Sequence, residues 1–362
     1  MKKIFIAATN QNGGKTTIAL GLLLNLRNHF KRIGFIKPIG QRYLFEEGYQ
    51  VDEDSVLIEK VFKFTFPLKL LNPIAVERGF TERYIENPYP AEITSKIVES
   101  YERIADSSDL VIIEGTGHAG VGSVFDHSNA RVAKILDAKV LIVSSGGVGR
   151  PIDEIVLNKA LFDKEGADVI GAVVNKVLKK KYEKISSLVS KGLNRLGVDE
   201  LGTIPYNPIL SAPTIEQISD EMELNFISSI ERKGNTVEKV IIAAMESQDA
   251  FRYVERNTLI ITPGDREDII IAAIRYCSIP DTNNYSIAGI LLTGGILPSK
   301  KILNKIEKVG IPLLTSEDDT YTVASAIYDL NVKLRPTDYD KIKLVKEIIG
   351  RYVNLEKILN SI

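Results

Sequence analysis

Short apolar runs alternate with amphipathic stretches along residues 1–215 of this 362-residue chain. The runs at Lys3–Ala8, Arg32–Lys37, Leu110–Glu114, Lys139–Ser144, Val169–Val174 and Asp199–Ile204 are mostly apolar. Strands of that kind belong to a parallel sheet covered on both faces, where neither face meets water. Between them, helical periodicity falls near Thr16–Phe30, Asn129–Leu136, Asp153–Lys164 and Tyr182–Leu196. The alternation predicts an α/β unit of the P-loop NTPase type over residues 1–215, a mostly parallel sheet with helices on both faces. Pro205-Tyr-Asn-Pro208 breaks the pattern, which restarts near Ile215. Strands are then expected at Val237–Ala243, Thr258–Thr262, Ser286–Leu292 and Ile311–Leu314, with helices near Ile269–Tyr276, Lys300–Val309 and Thr322–Leu330. These make a smaller α/β domain over 216–335. A C-terminal helix is expected over 336–362, with periodicity from Asp340 to Leu359, packing across the second domain or a partner subunit.

Composition narrows the function classes. The formal net charge is −1, so no global field recruits nucleic acid or an anionic membrane. Lys179-Lys180-Lys181 is a basic cluster that a solvated helix start explains. Cys277 is the only cysteine, which excludes an intrachain disulfide and a cysteine-built metal site. Met1-Lys-Lys runs straight into a strand pattern without a leader-type apolar core, and no apolar stretch is long enough to span a bilayer. The expectation is a cytoplasmic protein.

The strongest chemical signal lies between Phe5 and Thr17. An apolar strand ends in a small polar loop, Gly13-Gly14-Lys15-Thr16-Thr17 follows, and an apolar helix pattern begins at Ile18. In that context backbone N–H groups of Asn12, Gly13 and Gly14 and the helix start would surround a polyphosphate. Lys15 would reach the terminal phosphates, and the hydroxyl of Thr16, beside Thr17, would meet Mg²⁺. A nucleoside triphosphate, ATP with Mg²⁺, is the expected ligand. One position departs from the G-x-x-x-x-G-K-[ST] pattern: Thr9 stands where the first glycine belongs.

Other strand ends add candidates. Leu110-Val-Ile-Ile-Glu114 puts a carboxylate at a strand tip, where open α/β sheets bind ligands. Asp54 offers a second acid for the metal, although Asp52 and Glu53 beside it read as an exposed acidic run at a helix start. Lys37 either neutralises a transferring phosphate or a substrate carboxylate, or snorkels from a strand end. The amide of Asn175 either matches the N6/N7 edge of adenine or forms a turn. Pro205 begins a segment that either walls the base or merely turns. His118 and His127 flank one loop, and loop hydrogen bonding accounts for them better than a metal site does.

Taken together these residues resemble dethiobiotin synthetase, whose variant P-loop reads G-T-D-T-x-V-G-K-T. Ala8-Thr-Asn-Gln-Asn-Gly-Gly-Lys-Thr16 matches it in length, with Thr9 at the non-glycine position. The resemblance implies that Lys15, Lys37 and Glu114 are catalytic, that Thr16, Asp54 and Glu114 hold the metal, and that Asn175 contacts adenine. Departures at Asn10, Gln41 and His118 fall on the substrate side, so the nucleotide site transfers more readily than the ligase chemistry. MinD-like ATPases carry a lysine where Asn10 stands and fit less well. The second domain resembles the DRTGG domain, with Asp265-Arg266 after one strand and Thr293-Gly294-Gly295 after another. Those five residues would form a second ligand site or a tight fold and dimer interface, and Asp265 with Asp268 reads as a helix cap. The pair resembles the amino-terminal region of large bacterial phosphate acetyltransferases, and the Glu114–Gly149 stretch resembles a stand-alone form without the acetyltransferase domain. Two functions follow: a dimeric nucleotide-dependent regulator with weak ATPase activity, or an ATP-dependent ligase joining a carboxylate or carbamate to an amine.

Overall fold

The computed structural model of the protein describes residues 1–11, 13–278, 286–330 and 332–362. The chain forms two compact units, Met1–Asn207 with Leu334–Ile362, and Pro208–Lys333. In the first, β1 (Lys2–Ala8) leads through a loop to α1 (Lys15–Leu26), then β2 (Ile33–Ile36). An antiparallel hairpin, β3 (Tyr43–Glu46) and β4 (Tyr49–Asp52), runs directly into α2 (Glu53–Phe62). After α3 (Pro90–Ala105) come β5 (Leu110–Glu114), α4 (Asn129–Ile135), β6 (Lys139–Ser145) and α5 (Gly149–Glu165). The series closes with β7 (Val169–Val177), α6 (Tyr182–Arg195) and β8 (Glu200–Pro205).

Six of these strands make one sheet in the order β8-β7-β6-β1-β5-β2, all neighbours parallel. Parallel neighbours require crossovers, which the helices supply, and the covered faces explain the unbroken apolar runs in β1 and β5. Parallel order also gathers every C-terminal strand end on one side. Thr9, Lys37, Glu114, Ser144 and Asn175 therefore converge from positions far apart in the chain. The hairpin, α2 and α3 fall where periodicity alone gave no element.

The second unit contains α7 (Ile215–Glu221), β9 (Asn225–Ser228), β10 (Lys239–Ile242), β11 (Thr258–Pro263) and α8 (Glu267–Cys277). It continues with β12 (Ile287–Thr293), α9 (Lys300–Val309), β13 (Leu313–Thr315) and α10 (Thr320–Tyr328). Strand order is β9-β13-β12-β11-β10, with β9 antiparallel and the others parallel. Alternate strand residues feed two cores: Ile260 and Leu292 pack with Ile269 and Ile306, whereas Leu259 and Leu291 pack with Ile218 and Val323.

The tail corrects the sequence expectation. It is two helices, α11 (Tyr339–Tyr352) and α12 (Leu355–Ser361), and both belong to the first unit. Gly21 of α1 leaves the space that Ile349 fills; a Cβ there would lie 2.1 Å from Ile349 Cγ1. Val353 bridges to Gly202 on the open edge of β8, and Lys2 Nζ donates to Ile362 O at 2.6 Å. The apolar stripe of α11, with Val345, Ile348 and Ile349 buried, thus finds its groove on the phosphate-loop helix, and the tail covers a sheet edge.

Candidate nucleotide-binding site

The loop between β1 and α1 is held from several sides. Gly14 is the N-cap of α1 with φ 93°, and a Cβ there would sit 2.3 Å from Asn175 Nδ2. Conformation and space both demand glycine. Among the described residues no side chain caps α1, and its first turn carries no acid, so the positive helix end suits an anion. Asn175 Nδ2 donates to Gly13 O at 3.1 Å, and its Oδ1 accepts from Lys176 N at 2.8 Å. The amide that was matched to adenine is thus engaged in bracing the loop. Asn12 lies outside the described residues. Thr17 is half-buried in the first turn of α1, and Pro205 is a half-buried residue at the end of β8.

Beneath the loop lies a buried cluster of acids and lysine. Thr16 Oγ1 donates to Glu114 Oε1 at 2.8 Å. Glu114 is fully buried, and its Oε2 has no hydrogen-bond partner among the described residues. Lys37, only 5% exposed, donates from Nζ to Asp52 Oδ1 at 2.6 Å and also to Asp54 Oδ2. Asp52 Oδ2 accepts from Gln41 N at 3.1 Å and Arg42 N at 3.4 Å, while its Oδ1 accepts from Asp54 N at 3.0 Å. Asn72 ties both sides, its Oδ1 accepting from Asp52 N at 3.0 Å and its Nδ2 donating to Lys37 O at 2.8 Å.

Two corrections follow. The acidic run expected at the surface is buried at Asp52 and Asp54, because the hairpin folds it onto Lys37. Sequence reasoning also missed Asp52 and Asn72 as members of the site. A hairpin signal was present, since Glu47-Gly48 separates two aromatic-containing runs and both residues take positive φ, 52° and 81°.

Charge sets the protonation of this cluster. Burial pushes the Glu114 carboxyl up to about 7 and Asp54 adds to the rise, against the lowering effects of Lys37, Lys15 and the Thr16 hydroxyl. For Lys37, burial pushes the ammonium down, but Asp54, Glu114 and Asp52 outweigh it and hold it above its ordinary value. Lys37 is therefore charged and engaged with two carboxylates. The orphaned Oε2 of Glu114 beside the Thr16 hydroxyl fits a hard cation of the Mg²⁺ kind. No group of three or more His, Cys, Asp or Glu among the described residues is arranged for a metal, so phosphate oxygens and water would have to complete its shell.

The remaining candidates have structural work. His127 Nε2 meets Thr94 Oγ1 at 2.8 Å and its Nδ1 meets Phe125 O at 2.8 Å; the exposed His118 accepts from Gly120 N at 3.2 Å. Both act in loop hydrogen bonding. In the second unit, β11 and β12 are parallel neighbours, which brings Asp265-Arg266 and Thr293-Gly294-Gly295 to the C-terminal end of the sheet. Their polar groups largely serve the fold. Arg266 donates to both oxygens of Asp268, at 2.8 and 2.9 Å, and to Met245 O at 2.9 Å. Thr293 Oγ1 lies 2.7 Å from Thr320 Oγ1, Gly294 N donates to Asp318 O and Gly295 N to Ser316 O. The expected Asp265 cap is replaced: Arg266 is the N-cap of α8, without a side-chain cap bond, and Asp268 pairs with Arg266.

Comparison with known proteins agrees with this architecture. Residues 2–214 match the AAA domain family and residues 217–330 the DRTGG domain family. The chain belongs to the AAA domain family and carries a DRTGG domain. It is 27% identical over 364 residues to the phosphate acetyltransferase of Nitratidesulfovibrio vulgaris, covering 98% of this chain and 51% of that protein. The phosphate acetyltransferase of Pseudomonas putida is also 27% identical, over 374 residues, with the same two coverages, 98% and 51%. The chain thus spans about half the length of these relatives. Among solved structures, the septum site-determining protein MinD complexed with Mg-ADP from Pyrococcus horikoshii aligns at 15% identity with a TM-score of 0.38, covering 58% of this chain and 83% of that one. A likeness that low adds nothing to the reading of the site. Among the described residues, no helix is long and apolar enough to cross a membrane.

Proposed function

We propose that the protein binds ATP with Mg²⁺ at the β1–α1 loop and acts as a nucleotide-dependent regulator with weak ATPase activity. The observation that carries this reading is the Thr16–Glu114 pair, with its orphaned carboxylate oxygen, beneath an uncapped helix start. Backbone N–H groups from Gly13 to Thr17 would receive phosphate oxygens, Lys15 would meet the terminal phosphates, and Thr16 and Glu114 would hold the cation. The cation, when bound, neutralises phosphate charge. Asp54 stays beside it as a member of the same cluster, while Asn175 and Pro205 stand at the strand ends that would flank the base.

Lys37 supports regulation over ligation. Two of its three Nζ donors are engaged by Asp52 and Asp54, and these two buried carboxylates already offset its single charge, which disfavours a third carboxylate from a substrate. The internal hydrogen bonds of Arg266, Thr293, Gly294 and Gly295 favour a fold-forming role over a second ligand site. A cytoplasmic homodimer is the assembly that goes with this reading. Single-turnover release of γ-phosphate, with and without bicarbonate and candidate diamines, tests it. Slow release that ignores the additions is expected; stimulated turnover that Lys37→Ala abolishes would establish the ligase instead.

A further inference from the structure

Thr9 occupies the loop position that the P-loop pattern gives to glycine, and three contacts hold it there. Its N–H donates to Val143 O at 2.8 Å. Its hydroxyl donates to Glu154 Oε2 at 2.8 Å and lies 3.0 Å from Ser144 Oγ. Thr9 is buried and its φ is not in the left-handed region, so a β-branched residue costs nothing in backbone strain. Glu154 projects from α5, where its Oε1 accepts from Arg150 Nε at 2.6 Å. Burial pushes the Glu154 carboxyl up, but Arg150, Thr9 and Ser144 outweigh it and hold it below its ordinary value. It is an ionised acceptor at neutral pH, and hydrogen bonds to ionised acceptors are the stronger kind.

The far end of the loop is held separately. Asn175 Nδ2 donates to Gly13 O, and Asn175 O accepts from Gly146 N at 3.1 Å. Thr9 is therefore tied to α5 and Gly13 to β7. A loop that must aim several N–H groups at one phosphate loses affinity if it has to be ordered on binding.

We infer that Glu154 is a positioning residue, acting through Thr9 to hold the phosphate loop in its binding conformation, an assignment that rests on the nucleotide reading above. Nothing in the phosphate-loop pattern contains Glu154, which lies 145 residues from Thr9 in sequence.

The test is a double-mutant cycle read by two independent measurements. Mg-ATP affinity is measured by calorimetry for wild type, Thr9→Val, Glu154→Ala, the double variant and Glu154→Gln. Each single variant is expected to bind about tenfold more weakly, the worth of one hydrogen bond to a charged acceptor. The double variant should be no worse than either single one, and Glu154→Gln, which keeps an oxygen for the Thr9 hydroxyl, should recover most of the affinity. Amide hydrogen exchange without ligand should be faster across residues 9–17 in Glu154→Ala than in wild type, with exchange in the second unit unchanged. Additive losses, or an unchanged dissociation constant with unchanged loop exchange, would overturn the assignment. So would a general rise in exchange throughout the first unit, which marks mere destabilisation. If wild type binds no nucleotide, the nucleotide reading fails, and the exchange comparison still decides whether Glu154 holds the loop.

Discussion

Replacing Glu114 by glutamine should change the pH dependence of the ligand-free protein's stability, favouring the variant over wild type increasingly as pH rises. In the folded protein this carboxyl sits at about 7, against an ordinary 4.5. A difference of one in pKa is about 1.4 kcal/mol, so ionising Glu114 in place opposes folding by about 3 kcal/mol at pH 8. The sign follows from proton counts. Between the two pKa values the folded chain binds more protons than the unfolded one, so this group's contribution to stability falls as pH rises from about 4.5 to about 7, then levels off. At pH 5 the same linkage leaves a penalty of no more than about 1 kcal/mol, so the contribution changes by about 2–3 kcal/mol between pH 5 and pH 8. Glutamine keeps an acceptor for the Thr16 hydroxyl and removes the titration. Its N–H₂ would occupy the place of the orphaned Oε2, at a pH-independent cost of about 1–3 kcal/mol. Urea unfolding in EDTA, at intervals from pH 5 to 8, reads the difference between the two proteins. It should move in favour of the variant by about 2–3 kcal/mol across that range. Parallel stability curves for the two proteins would refute the reasoning.

Two further substitutions test other parts of the structure. Asp52→Ala removes one partner of the buried Lys37 and strips the Gln41 and Arg42 amides of their acceptor, so a loss of about 3–5 kcal/mol is expected in urea unfolding. A loss below about 1 kcal/mol would show that Asp54 suffices. Gly21→Ala should destabilise by about 1–3 kcal/mol through overpacking against Ile349, although helix propensity alone predicts a gain of about 1 kcal/mol. Thermal melting decides between them, and adding Ile349→Ala, which removes Cγ1 but leaves the Cβ 2.8 Å away, should relieve the clash in part.

The strand ends were readable because a covered parallel sheet forces unbroken apolar runs, and a charged or polar residue at the end of such a run stands out. Lys37, Glu114 and Asn175 were found this way, and Gly13 to Thr17 by their position between strand and helix. Asp52 was not, because its neighbours Glu53 and Asp54 make it look solvated and only pairing with Lys37 buries it. Glu154 was invisible for a related reason: it lies on a helix in the middle of an ordinary amphipathic pattern, and its partner Thr9 is brought to it by sheet order. The tail was misplaced because periodicity marks an apolar stripe but not the groove that receives it, which Gly21 and the open edge of β8 provide. Asn175 shows a third case, a strand-tip amide whose capacity is used on the loop backbone.

Calorimetric titration of Mg-ATP into wild type and Lys15→Ala, with and without millimolar Mg²⁺, tests the central claim most directly. A single binding event in wild type that weakens sharply without Mg²⁺ and is lost in Lys15→Ala is the predicted result. Absence of heat with ATP and with other purine triphosphates, or binding that Lys15→Ala leaves unaltered, would contradict it.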